Sequence, residues 1–147
     1  MDMNHEKTLK LLAKALEIAP GDWETRSHMA ALCIELGRKK QAALLISEAP
    51  RLPDDAPGRV AAAELLARAD AVDAALELID ALLAQNRANA KAHLLKAKIL
   101  RDREQRQEAR KHYHIAAVID ESLEDREFED WIYDPTFEPS APQHSAN

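Results

Sequence analysis

Apolar and small residues return along this chain at helical spacing, with charged residues filling the positions between. Leu9, Leu12 and Leu16 share one stripe with Ala13 and Ala15, which predicts a helix from about Glu6 to Ile18, capped by Asn4 and stopped by Pro20 and Gly21. A second helix follows from Trp23 to Leu36, with Asp22 as its cap and Gly37 as a left-handed stop. The third runs from about Lys39 to Ala49, before Pro50 and Pro53. Pro57 suits the first turn of a fourth helix to Ala69, and Asp70 reads as the cap of a fifth from about Val72 to Gln85. Asn89 opens a sixth that ends near Asp102, and a seventh spans about Gln105 to Asp120 with Ala109, Tyr113, Ala116 and Ala117 on one face. The links are short, so successive helices are antiparallel neighbours.

Alanine keeps a beat through these helices. Ala15, Ala49, Ala81 and Ala116 are separated by 34, 32 and 35 residues, and the series Ala30, Ala62, Ala97 and Ala42, Ala74, Ala109 step by 32 and 35. A period near 34 indicates stacked pairs of antiparallel helices, an α-solenoid. The packing cause is that axes crossing about 8–10 Å apart leave room for little more than a methyl group at the crossing. Met29, Cys33, Ile46, Leu65, Leu78, Leu100 and Tyr113 are the expected large fillers beside those alanines.

On these residues the chain resembles the tetratricopeptide repeat (TPR) family. The likeness lies in a small residue in each first helix (Ala30, Ala62, Ala97) and a glycine at the turn (Gly37). It extends to alanine early in each second helix (Ala42, Ala74, Ala109), then a bulky residue (Ile46, Leu78, Tyr113), then alanine again (Ala49, Ala81, Ala116). Leu12, Ala15 and Pro20 match the second half of such a unit. The resemblance implies an all-α, right-handed superhelix of about seven helices: a half repeat over 6–20 and full repeats over about 22–54, 55–88 and 89–121, within a domain of residues 1–120. It departs from the family where the large aromatic early in each first helix is replaced by Arg26, Gly58 and His93, and where Ala69 and Glu104 stand opposite Gly37.

The family's usual work is to hold a peptide or a partner's helix in a concave groove lined by the first helix of each pair. Carried onto this sequence, the groove presents Arg59, Leu66, Lys91, Leu94, Lys98 and Arg101, basic toward its C-terminal half. The asparagines with which some members grip the carboxylate terminus of chaperones are absent, so that clamp is not expected.

Residues 121–147 differ from the rest. Eight acids stand there against Arg126 alone, a net charge of −7 that leaves about +1 for residues 1–120. Four of the six aromatics, Phe128, Trp131, Tyr133 and Phe137, lie in the same segment, unlike an ordinary acidic disordered tail. Two uses are open. A short helix from about Leu123 to Ile132, started by Ser122 with Asp125, can cover the last repeat. Alternatively EDREFEDWIYDPTF is a linear motif whose aromatics anchor in this molecule's groove, in a second copy to give a homodimer, or in another protein. The final PSAPQHSAN reads as disordered.

Catalytic chemistry is not indicated. His112 and His114 point to different helix faces and read as surface histidines, His28 and His93 stand alone, and no phosphate loop, nucleophile elbow or metal-ligand spacing is present. The single cysteine, Cys33, lies between Leu32 and Ile34 and reads as a small buried thiol. The negative charge and the interleaving of Asp102, Glu104 and Glu108 with the basic residues between Lys91 and Lys111 argue against nucleic acid. No run approaches the roughly 20 apolar residues of a membrane span, and MDMNHEKTLK lacks a signal peptide's apolar core, so a cytoplasmic address is expected. The expectation is a cofactor-free, non-enzymatic adaptor or scaffold that binds a protein. The alternative is an accessory subunit of a larger machine, an ATPase or a redox chaperone, with the acidic tail as connector or groove-filling inhibitor.

Overall fold

A computed structural model describes residues 3–134, and every regular element among them is helical. The helices are α1 (Met3–Ile18), α2 (Trp23–Glu35), α3 (Lys39–Ser47), α4 (Ala56–Arg68), α5 (Val72–Gln85), α6 (Ala90–Asp102) and α7 (Arg106–Ile119). A 3₁₀ turn over Glu121–Leu123 then leads to α8 (Arg126–Ile132). Phe137 and the PSAPQHSAN segment lie outside the described residues. Each helix from α1 to α7 packs on the next, and in addition α2 touches α4 and α4 touches α6. Among the described residues α3, α5 and α7 make no comparable contact with one another, so the first helices of the three pairs form one continuous row.

The period is more regular than the alanine series suggests. Asp22, Asp55 and Asn89 stand at the N-caps of α2, α4 and α6, at steps of 33 and 34 residues. On the same steps Gly37, Asp70 and Glu104 take positive φ of 77°, 61° and 59° after those helices. Each turn closes with the same backbone bond, Arg38 to Cys33, Ala71 to Leu66 and Gln105 to Leu100, the Schellman pattern of a left-handed helix stop. Asp70 is therefore the second unit's counterpart of Gly37, and it is not the cap of α5 expected from its type; Ala71 holds that place.

The buried residues follow. Ala30, Ala63 and Ala97 in the first helices, and Ala42, Ala75 and Ala109 in the second, are wholly buried, with Ile46, Ile79 and Tyr113 one turn on. The middle unit thus sits one residue later than the series through Ala62, Ala74 and Ala81. Ala81 is exposed, and Leu82 is buried in its stead. Paired small or apolar residues at Ala62–Ala63, Ala74–Ala75 and Leu78–Ile79 make the two readings equivalent by size alone.

Three side chains replace the missing aromatics with a shared device. Arg26 donates to the carbonyl of Pro20 at 2.9 Å and of Leu45 at 3.0 Å, Arg59 Nε donates to Pro53 at 2.8 Å, and His93 Nε2 to Arg87 at 2.8 Å. In each case the residue four places after the cap straps the carbonyl six residues earlier, fixing how the chain enters the first helix of the pair. Arg59, not Gly58, is the member from the second unit. Gly58 is bare because a Cβ there would meet Pro53 Cβ at 2.5 Å.

Local signals account for most ends, with some corrections. Asp55 accepts from the Gly58 amide at 3.0 Å and Asn89 from the Ala92 amide at 3.1 Å, whereas Asp22 accepts from the Thr25 hydroxyl at 2.7 Å. Asn4 lies inside α1. α8 begins later than expected, and its cap is Asp125, which accepts from the Phe128 amide at 3.0 Å; Ser122 instead donates its hydroxyl to Asp120 at 2.6 Å. Ion pairs step along the second helices, Arg38–Glu6 (2.9 Å), Lys39–Asp70 (3.0 Å) and Arg103–Asp73 (2.8 Å). Exposed pairs of this kind add about 0–1 kcal/mol each.

The core falls into two clusters that meet at α6. Ala92 and Ile99 belong to the larger, which extends back to α1, while Ala97 and Leu100 join Ala109, Tyr113, Phe128 and Ile132 in the smaller.

Candidate binding cleft

Between α4 and α6 the row of first helices leaves a cleft of about 350 Å³, near the lower end of the roughly 300–1,000 Å³ usual for ligand sites. Val60, Ala61, Leu94 and Leu95 supply its apolar wall, joined by Leu123 from the 3₁₀ turn, and Glu64, Lys91 and Lys98 bring charge. The corrected register explains the grouping. Pro57, Val60 and Glu64 occupy the same places in α4 as Lys91, Leu94 and Lys98 in α6, and Glu24, Ser27 and Ala31 continue the line on α2. Asp120 follows α7 with its carboxyl held below the usual carboxylate range, by bonds from Ser122 first and by the charge of Lys91 after burial is counted against it.

Of the six groove residues expected from sequence, Lys91, Leu94 and Lys98 line this cleft. The other three are engaged elsewhere. Arg59 is the Pro53 strap, Leu66 is buried in the core at 5% exposure, and the Arg101 guanidinium lies 5.0 Å from the centre of the Phe128 ring. Pro57, Val60, Ala61, Glu64, Leu95 and Leu123 also line it and were not among the six. The caps Asp22, Asp55 and Asn89 were the signal that could have aligned α4 with α6 and found Pro57, Val60 and Glu64.

The aromatic segment, as far as Asp134, closes the end of the stack. Phe128 is wholly buried, stacked 4.9 Å from Tyr113 and edge-on to Trp131 at 5.8 Å. The Tyr113 hydroxyl accepts from the Asp125 amide at 2.8 Å and donates to Glu129 at 2.5 Å. Burial, then Glu129, pushes its pKa up to about 12. Arg106 holds the end of α8 by donating to the carbonyls of Ile132 and Asp134, its guanidinium 5.4 Å from the Trp131 ring. Tyr133, about half exposed, pairs its hydroxyl with His114 Nε2 at 2.6 Å under the Arg110 guanidinium.

His93 does not stand alone. It is buried at 7% exposure and meets His112 across the α6–α7 pair, with Nδ1 atoms 3.0 Å apart and ring centres 5.2 Å apart. His112 and His114 do point different ways, toward His93 and Tyr133 respectively. Cys33 is fully buried, and that burial raises its thiol pKa, which disfavours the reactive thiolate. Among the described residues no cluster of three or more His, Cys, Asp or Glu side chains is arranged to hold a metal, and no helix is long and apolar enough to cross a membrane.

Comparison with known proteins agrees with this geometry over the N-terminal part. Residues 4–57, which hold α1 to α3 and the start of α4, match the family model described as tetratricopeptide repeat. No curated protein matches the chain.

Proposed function

We propose that the chain is a tetratricopeptide-repeat protein, as the match over residues 4–57 supports, and that, like such repeats, which generally mediate contacts between proteins, it is a non-catalytic module that holds a partner's peptide or helix between α4 and α6. α1 is then a half repeat, and α2–α3, α4–α5 and α6–α7 are three full ones. The observation that carries the reading is the cleft itself, where Val60, Leu94 and Leu95 offer an apolar wall beside Glu64, Lys91 and Lys98 on rigid helices. Burying one or two apolar side chains there provides affinity, and the charges orient the ligand.

In the second reading, an accessory subunit tethered by its aromatic tail, Phe128 is not an anchor, because that ring is wholly buried against Tyr113.

A random-peptide selection on the immobilised chain tests the cleft. Enriched peptides are expected to lose about tenfold or more in affinity for the double variant Leu94→Glu, Lys98→Glu, which removes an apolar contact and reverses a charge, while its helical content stays unchanged. Peptides that bind the variant as well as the parent chain overturn the site.

A further inference from the structure

Among the described residues the first and last helices, α1 and α8, each lack a pairing helix beyond them. α1 makes its helix contacts with α2 and has no described helix before it. At the other end, α8 continues the series of first helices: like Asp55 and Asn89, Asp125 caps its helix by accepting from the amide three residues on. It is a first helix shortened to seven residues, with no second helix described after it.

The outer faces of these half pairs are complementary. On α1, Lys7, Lys10 and Lys14 are exposed at positions i, i+3 and i+7, on the side opposite the buried Leu9 and Leu16. Met3, Leu11 and Ile18 lie on the same side with exposures of 74%, 68% and 85%, more apolar surface than a solvated helix face needs. At the other end Glu127 and Asp130 are exposed at i and i+3 on the side of α8 away from the buried Phe128 and Ile132, and Asp134 is exposed just past the end of that helix. Val118 and Tyr133 are exposed at that same end. Of the acids of α1, Glu6 is bound by Arg38 through both carboxylate oxygens at 2.9 and 3.0 Å, and Glu17 is exposed one turn after Lys14.

We propose that a second copy of this chain docks end to end, the lysine and leucine face of α1 in one molecule against the acidic face of α8 in the other, so that two half pairs complete one helix pair between molecules. The contact is heterologous, with different surfaces on the two partners, so association is open-ended and rises with concentration. Its ionic part weakens with salt, since the charges are at the surface. The contact lies at the ends of the stack and does not depend on the α4–α6 cleft, so peptide binding and self-association can fail separately.

Sedimentation velocity over a range of concentrations and salt tests it. The full chain is expected to show mass increasing with concentration at low salt. Reversing one face by Lys7→Glu, Lys10→Glu and Lys14→Glu, or the other by Glu127→Lys, Asp130→Lys and Asp134→Lys, should weaken association about tenfold or more. Mixing the two variants should restore association, because the natural acidic face of one meets the natural lysine face of the other and the two reversed faces are again opposite in charge. Circular dichroism of each variant alone checks that the helices persist. A chain that stays monomeric at every concentration, association indifferent to both reversals, or variants that remain folded yet do not associate when mixed overturns the proposal.

Discussion

His93 and His112 share one hydrogen between Nδ1 atoms 3.0 Å apart, and the arrangement fixes which ring gives it. The Arg87 carbonyl can only accept, so His93 Nε2 carries a hydrogen and donates it there, which leaves His93 Nδ1 as the atom that accepts from His112. Burial first, then the charges of Lys96 and His93, push the His112 pKa below its ordinary 6.5, with Glu108 opposing and Lys111 adding to the depression. The unfolded chain therefore binds more protons below that value, and stability present above it is lost as pH falls through the folded pKa. Thermal denaturation from about pH 7.5 down to about pH 5 should show a falling midpoint, much flattened in His112→Gln. An unchanged slope in that variant would remove the pair as the cause.

Tyr113 joins α8 to α7 through one hydroxyl. Tyr113→Phe leaves the Asp125 amide and Glu129 without their partner and should cost about 1–3 kcal/mol in urea denaturation. The raised pKa adds an alkaline signature. Stability from the neutral phenol is fully present below the ordinary value of 10 and is lost as pH rises through about 12. Trp131 fluorescence should report the loosening of α8 in the parent chain but not a matching alkaline step in Tyr113→Phe.

Phe128 is the deepest anchor of the C-terminal cluster. Phe128→Ala removes a wholly buried ring from Tyr113 and should cost about 3–5 kcal/mol. Calorimetry that found less than about 1 kcal/mol would show that α8 does not close the stack in solution.

The left-handed turns offer a paired test. Gly37→Ala forces a Cβ into φ of 77° and should destabilise by about 1 kcal/mol, whereas Glu104→Gly relieves the same strain at φ of 59° and should stabilise by about 0.5–1 kcal/mol. Opposite signs in urea midpoints are the expected result, and equal signs would discard the equivalence of the two positions.

The helices and their order were legible in the sequence because stripes, caps and prolines agreed locally. The register of the middle pair was not. Ala62 and Ala63, or Leu78 and Ile79, are equally able to fill a crossing, so size alone left a one-residue slip, and that slip put Arg59 in the place of Val60 and Leu66 in the place of Ala67. The polar marks Asp22, Asp55 and Asn89 carried the missing information. The His93–His112 contact was also within reach. Folding positions back through the α6–α7 turn sets those residues opposite one another, as it sets Ala97 near Ala109 in the C-terminal cluster.

The contact in the stack that acid acts on is the one between His93 and His112, where burial first of all holds the His112 pKa down, and it lies inside the last helix pair. That placement gives the stack a direction of unravelling. In an array whose members grip only their neighbours, disassembly starts at the weakest join. Here acid acts between α6 and α7, so α7 and its cap α8 loosen before the N-terminal pairs lose their grip.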